Sequence, residues 1–285
     1  MTPDQYCRDQ LAQAGSSIHY SLLFLPAPRR RAVTALFALC RELDNAVERS
    51  SDPGVAHARL AWWMQELERL FAGSPQHPVT RALAAHVAPY DLSLERFAPA
   101  LQARHLRLAS VRFDDFDALQ RHFYAEWGVF GEIASQMAGS NQAAALSFGG
   151  QLALAARMIR LMRDAGRHLR AGRSVFAERD LAGFGINAGD LTGAVHGAGF
   201  EALMAQQARR IRRMLATAAA PSTMAERPAR QTAVVLGALY ETLLDELERS
   251  RFQVLHHRIA LTPLRKLLIA CRIRAVGPSR SSALT

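Results

Sequence analysis

The sequence contains no apolar run approaching the ~20 residues that a membrane-crossing helix needs, only three cysteines, and a single lysine in 285 residues. The first absence removes integral helical membrane proteins from consideration. The most apolar stretch near the start, Leu22 to Leu25, is cut by Pro26 and Pro28 and followed by three arginines. Residues Met1–Gln10 are polar, so no secretory signal is expected. A cytoplasmic location is the resulting expectation, with peripheral contact to a membrane surface left open. Cys7, Cys40 and Cys271 are odd in number and far apart, which argues against both a disulfide framework and a zinc site. Strand signals are nearly missing as well: alternating β-branched runs bounded by turn residues do not recur, whereas apolar residues at helical spacing do.

Because Lys266 is the only lysine, the other 34 of the 35 basic residues are arginine. An arginine and alanine excess with so little lysine is what a GC-rich genome produces, so part of the net charge of +10 is compositional. The remainder suits anionic partners such as phosphorylated ligands or acidic lipid. Nucleic acid is not an expected partner, since the arginines are spread along helices and no nucleic-acid motif accompanies them.

With 49% hydrophobic residues the chain can bury one sizeable core. The periodicity predicts helices over about Pro3–Ala14, Ala27–Arg49, His57–Ala72, His77–Val87, Ser93–Leu108, Phe116–Gly139 and Ala143–Ala171. A loop with a short helix is expected over Gly183–Asp190, and further helices over Phe200–Ala219, Glu226–Arg251 and Pro263–Ile273. Pro221-Ser222 is too short to separate domains. The expectation is an all-α, single-domain bundle over residues 1–276 and a polar tail over 277–285.

Two helical stretches carry groups suited to chemistry. Asp44 and Glu48 are four residues apart, hence one turn apart on one face. Two like charges there repel unless a cation intervenes, and Mg²⁺ takes one or two carboxylates together with substrate phosphates. The alternative is a solvated face on which Arg41 and Arg49 are the partners. In the second stretch, Arg157, Arg160, Asp164 and His168 share one stripe of an otherwise apolar helix. Such a stripe is either a solvent face or the lining of a wet pocket.

In their order along the chain, several segments resemble the squalene/phytoene synthase family. Ser16-Ser17, Tyr20, Leu25-Pro26 and Arg30-Arg31-Ala32 are similar to its opening. Ala35–Asp44 is close to its "AxYAFCRxxD" signature, and Tyr124 with Gly128–Gly131 resembles "YxxxAGxxG", with Trp127 in place of alanine. Gly172-Arg173, Asp180-Leu181 and Phe184-Gly185 resemble its "GRxYLPxxDLxxFG" loop. The resemblance implies an isoprenoid-synthase helical bundle around a central cavity. In that fold two Asp-rich motifs hold Mg²⁺, which draws pyrophosphate off a prenyl diphosphate before head-to-head joining with a second.

Measured against that pattern, Asp44 and Glu48 stand at the first and fifth places of the first motif, with Asn45 between. In the second, normally QxxNxxRDxxED, Arg157 and Arg160 replace the amides, Arg163 and Asp164 remain, and Arg167 and His168 take the acidic places. The loop has Val175-Phe176-Ala177 instead of Tyr-Leu-Pro. The resemblance therefore implies Asp44, Glu48 and Asp164 as a reduced Mg²⁺ set. It implies Ser16, Tyr20, Arg41, Arg157, Arg160, Arg163 and Arg173 as contacts to a diphosphate, and Phe37, Tyr124 and Trp127 as cavity wall. Two readings stay open. One is a divergent member that binds an isoprenoid or phosphorylated ligand, or serves in assembly with a protein partner, without metal-dependent condensation. The other is an active Mg²⁺-dependent prenyltransferase. Trp62 and Trp63 are expected in core or cavity wall, Cys40 in the core, and His256-His257 at a surface helix end.

Overall fold

A computed structural model describes residues 1–13, 16–50, 52–109, 111–173, 175–187, 197–217 and 227–276. Among these residues there is no β-strand, and fourteen α-helices make up the fold. The expected tail over 277–285 lies outside the described residues.

Helix starts follow local chemistry. α1 is Pro3–Gln13, and α2 (Ser17–Ser21) begins where the Ser16 hydroxyl accepts a hydrogen bond from the Ile18 amide. α3 (Ala27–Glu48) carries Pro28 in its first turn, where a missing N–H costs nothing. α4 (Pro53–Phe71) begins four residues before the expected His57, because Asp52 Oδ1 accepts from the amides of Gly54 (2.6 Å) and Val55 (3.2 Å) and Pro53 comes directly after it. α5 (Pro78–Ala84) and α6 (Leu94–Leu108) complete the first half.

Two segments that read as single helices are broken in the structure. Phe116–Gly139 becomes α7 (Phe116–Phe123), a π-helical turn (Tyr124–Gly128) and α8 (Val129–Ala138). Gly128 lies against the Tyr124 ring, where an added Cβ would sit 2.8 Å from Cγ. A π turn inserts one residue and re-aims the side chains of the next helix, which periodicity alone does not register. Ala143–Ala171 becomes α9 (Ala143–Arg163) and α10 (Ala165–Arg170), with Asp164 leaving helical geometry at φ −98°, ψ 14°.

α11 (Glu178–Gly183) precedes the expected short helix, which runs out of the described residues after Asn187. Asp180 ties α11 to α12 (Ala198–Thr217) by accepting from Gln207 (2.9 Å) and Arg210 (2.5 Å). α13 (Arg227–Arg249) and α14 (Pro263–Val276) close the chain.

α3 runs through the core, with Leu36, Leu39, Cys40 and Leu43 fully buried. α8 and α9 approach so closely that a Cβ on Gly131 would lie 2.2 Å from the Gly149 carbonyl oxygen. Trp63 and Trp127 are buried as expected, but Trp62 is 40% exposed, edge-on to Trp63 with Arg69 over its ring. No described helix is long and apolar enough to cross a membrane.

Candidate functional site: a basic cavity over a buried carboxylate cluster

A cavity of about 630 Å³ opens between α3, α9, α10, the Val254–Leu261 segment and the inner side of α14. Asp44 and Glu48, one turn apart on α3, line it together with Arg157 and Arg160 of α9. The solvated-face reading of the acidic pair does not hold, for Asp44 is only 6% exposed. The stripe on α9 lines a pocket, although the break at Asp164 turns α10 out of its register. Arg163, Asp164 and Arg167 face the cavity, while His168 is buried behind it.

Arg157 sits 3.3 Å from Glu48 and 3.9 Å from Asp44, and it is buried. Arg160 approaches Asp44 at 3.5 Å and Arg167 approaches Glu48 at 2.9 Å. From α6, Arg104 donates to Asp44 Oδ1 through Nε (3.2 Å) and Nη2 (2.9 Å). Arg107 reaches Glu48 at 3.5 Å and Glu126 at 3.2 Å. Glu126, from the π-helical turn, is fully buried and also has His122 at 3.3 Å and Arg157 at 4.0 Å. Three carboxylates are thus surrounded by five guanidiniums. Asp164 forms an adjoining cluster with Arg163 (2.5 Å) and Arg258 (3.3 Å), linked to the first through Arg167 (3.9 Å). Among the described residues, no three His, Cys, Asp or Glu side chains converge as a metal-holding group.

The electrostatics come from burial opposed by pairing. Burial pushes the Glu48 carboxyl up, but Arg157 and Arg107 outweigh it and hold Glu48 well below the usual range. Glu126 is likewise held at about 2, chiefly against burial, by Arg107 and His122. Burial works against the Arg157 charge, yet Asp44, Glu48 and Glu126 together raise its pKa above the ordinary guanidinium value. Asp164 is lowered by Arg163 against the effect of burial. Burial takes His168 down to about 3, so its imidazole is neutral beside the arginines at pH 7. Arg41 is lowered by burial and by Arg49, and its Nε is buried without a hydrogen-bond partner.

Beyond the carboxylates the cavity wall is strongly cationic. Eight arginines and Lys266 line it, against Asp44, Glu48 and Asp164. Trp127 holds two of the arginines by its ring face, Arg160 at 4.0 Å from the centroid and Arg157 at 5.8 Å. Ile18, Phe37, Trp127 and Tyr240 also wall a second, apolar space of about 60 Å³. Its other walls include six alanines of α8, α9 and α13, with Gly131 and Gly149 among the lining residues.

Of the residues singled out from sequence, Ser16, Phe37, Arg41, Asp44, Glu48, Trp127, Arg157, Arg160, Arg163 and Asp164 line the large cavity. Tyr20, Tyr124 and Arg173 line neither space. Tyr20 packs beside α14 with Lys266 at 5.9 Å, and the Tyr124 hydroxyl is bound to Glu132. Burial lowers the Arg173 pKa. His256 and His257 are exposed as expected, but they lie in the segment between α13 and α14 rather than at a helix end, and they line the cavity. Cys40 is fully buried, with its thiol pushed up to about 12 by burial.

Sequence reasoning missed Arg104, Arg107 and Glu126. One signal existed: Arg104 continues the apolar register of Phe97, Ala100 and Leu101, and a charge at a core position implies a partner. Nothing in one sequence names Glu126 as that partner.

The sequence model of the squalene/phytoene synthase family matches residues 11–265. The 15-cis-phytoene synthase of Synechococcus elongatus is 26% identical over 277 residues, spanning 92% of this chain and 89% of that protein. The phytoene synthase of Arthrospira platensis is 24% identical, spanning 93% and 90%. Among solved structures, a dehydrosqualene synthase in complex with ligand superposes with a TM-score of 0.85 at 18% identity, over 96% of this chain and 95% of that one. A squalene synthase from Alicyclobacillus acidocaldarius gives 0.74 at 20% identity, over 88% and 94%. At these identities the superpositions speak to the fold alone. The family match spans most of the sequence, and this chain belongs to the squalene/phytoene synthase family.

Proposed function

We propose that this protein binds the diphosphate end of an isoprenoid, or a similar phosphorylated ligand, in its basic cavity without Mg²⁺, and does not join two prenyl diphosphates. The observation that carries this reading is the buried guanidinium of Arg157, lying between Asp44, Glu48 and Glu126. Mg²⁺ needs carboxylate oxygens free for near-octahedral coordination. Here Asp44 faces Arg104 and Arg160, and Glu48 faces Arg157 and Arg167. The donor set does not fit the metal as it stands, and a guanidinium cannot step aside by losing its proton.

The remaining cations suit a multivalent anion. Arg160, partly exposed to the cavity beside Asp44, joins Arg41, Arg49, Arg163, Arg170, Arg258 and Lys266 in its lining, and arginine matches phosphate oxygens two at a time. Calorimetry with pyrophosphate in EDTA tests this. Binding is expected without metal, and Arg160→Ala, which removes a charge-assisted contact of roughly 1.5–3 kcal/mol, weakens it about tenfold or more. An unchanged affinity in that variant removes Arg160 from the anion site.

One observation favours the second reading, an active Mg²⁺-dependent prenyltransferase: Asp44, Glu48 and Asp164 all line one cavity. Incubation with farnesyl or geranylgeranyl diphosphate, with and without Mg²⁺, separates the two. Mg²⁺-dependent release of pyrophosphate with a joined hydrocarbon product would establish the second reading and overturn the first.

A further inference from the structure

α14 has two apolar faces but only one is packed. At about 100° per residue, Lys266, Ile269, Ala270 and Ile273 share the inward side. Ala270 is fully buried there with Val235 and Leu239 of α13, and Ile269 and Ile273 pack on the same group. The opposite side carries Leu264, Leu267, Leu268 and Cys271 at i, i+3, i+4 and i+7. The leucines are 65%, 40% and 60% exposed, and Cys271 is exposed too. Among the described residues, the other large exposed apolar side chains, Met1, Val55, Trp62 and Leu106, are spread over other elements and form no such stripe.

Charge surrounds the stripe on both flanks. By the same helical rotation Arg265 and Arg272 fall on one side of the leucines and Arg274 on the other. From Arg249 to Thr285 the sequence has no aspartate or glutamate, against seven arginines and Lys266. An apolar stripe bordered by arginines, on a helix too short and too charged to span a bilayer, is the pattern of a helix lying in the lipid headgroup plane. A protein partner would be met by the leucines as well, but the arginines flanking the stripe, of which Arg265 is paired with Glu246 at 2.7 Å and Arg272 and Arg274 are exposed, match the anionic phosphates of a lipid surface.

We propose that the outer face of α14 docks this protein on an anionic lipid bilayer, with Leu264, Leu267 and Leu268 at the acyl boundary and Arg272 and Arg274 on lipid phosphates. Docking does not depend on what the cavity binds. It does place the cavity next to lipid, since Lys266 on the inner face of the same helix lines it, and a helix is only about 10 Å across.

Sedimentation of the full chain with vesicles is the test, using phosphatidylcholine alone or with about one-third phosphatidylglycerol. Binding is expected to the mixed vesicles and to fall steeply with salt, with little binding to phosphatidylcholine. Leu264→Ser with Leu268→Ser reduces binding to mixed vesicles at least about tenfold. Arg272→Gln with Arg274→Gln reduces it by about fivefold per arginine. All four side chains are exposed or half-exposed, so melting temperature and circular dichroism stay at wild-type values. Absence of binding to mixed vesicles at low salt overturns the proposal, as does equal binding by the double leucine variant. A wild-type dimer that the leucine substitutions dissociate, without vesicle binding, would make this face a contact between copies and also overturn it.

Discussion

Replacing Arg157 by glutamine removes one charge from the centre of the carboxylate cluster and leaves its shape largely intact. Arg157 lies within 4.0 Å of Asp44, Glu48 and Glu126, and it is 2% exposed. Removing one member of a buried ion pair costs about 3–5 kcal/mol, because the remaining charge is left uncompensated. Arg104, Arg107, Arg160 and Arg167 still contact the same carboxylates, so the loss falls at the lower end, about 3 kcal/mol. For a chain this long that corresponds to a drop in Tm of roughly 6–12 °C. Mg²⁺ then acts differently on the two proteins. Wild type gains nothing, whereas the variant has a vacated position between Asp44 and Glu48. At ten times its dissociation constant, Mg²⁺ would return about 1.4 kcal/mol, or roughly 3–6 °C. Thermal melts at pH 7 with and without Mg²⁺ measure both effects. A variant as stable as wild type refutes the role given to Arg157, and a wild-type Tm that rises with Mg²⁺ refutes the exclusion of metal.

Acid should weaken the fold in two stages. His168 has a folded pKa of about 3 against an ordinary 6.5, so the unfolded chain takes up a proton that the native one refuses. Its stabilisation is complete above pH 6.5 and declines as pH falls, by ~2 kcal/mol between pH 7 and 5. Urea denaturation of His168→Gln should show a correspondingly flatter slope, and an identical slope would mean that the native imidazole protonates freely. Below pH 4.5, the contributions of Glu48 and Glu126, whose folded pKa values are depressed, are lost in turn as they protonate. Trp127 lines both the basic cavity and the small apolar space, so Trp127→Ala should favour longer prenyl chains. At roughly 0.8 kcal/mol per buried methylene, the ratio of geranyl to dimethylallyl diphosphate affinity should rise at least tenfold, and an unaltered ratio would place the chain elsewhere.

Spacing alone carried the helical class and the approximate span of most elements, because apolar residues at three- and four-residue intervals have only one regular way to share a buried face. It also placed Asp44 beside Glu48 on α3 and Arg157 beside Arg160 on α9, since those pairs lie within single helices. The interruptions at Tyr124–Gly128 and Asp164 left no mark in the periodicity. One depends on Gly128 meeting the Tyr124 ring, and both leave the flanking sequence amphipathic. Charge partners across the site were decided by tertiary packing. Arg104 and Arg107 reach the carboxylates from α6, with Arg104 sixty residues from Asp44, and Glu126 enters from the π-helical turn. Arg167, read in the sequence only as a residue in an acidic position, becomes a direct partner of Glu48 at 2.9 Å. Ion pairs of this kind depend on distance in space and on how much water is excluded, and neither quantity is written in the order of residues along a chain.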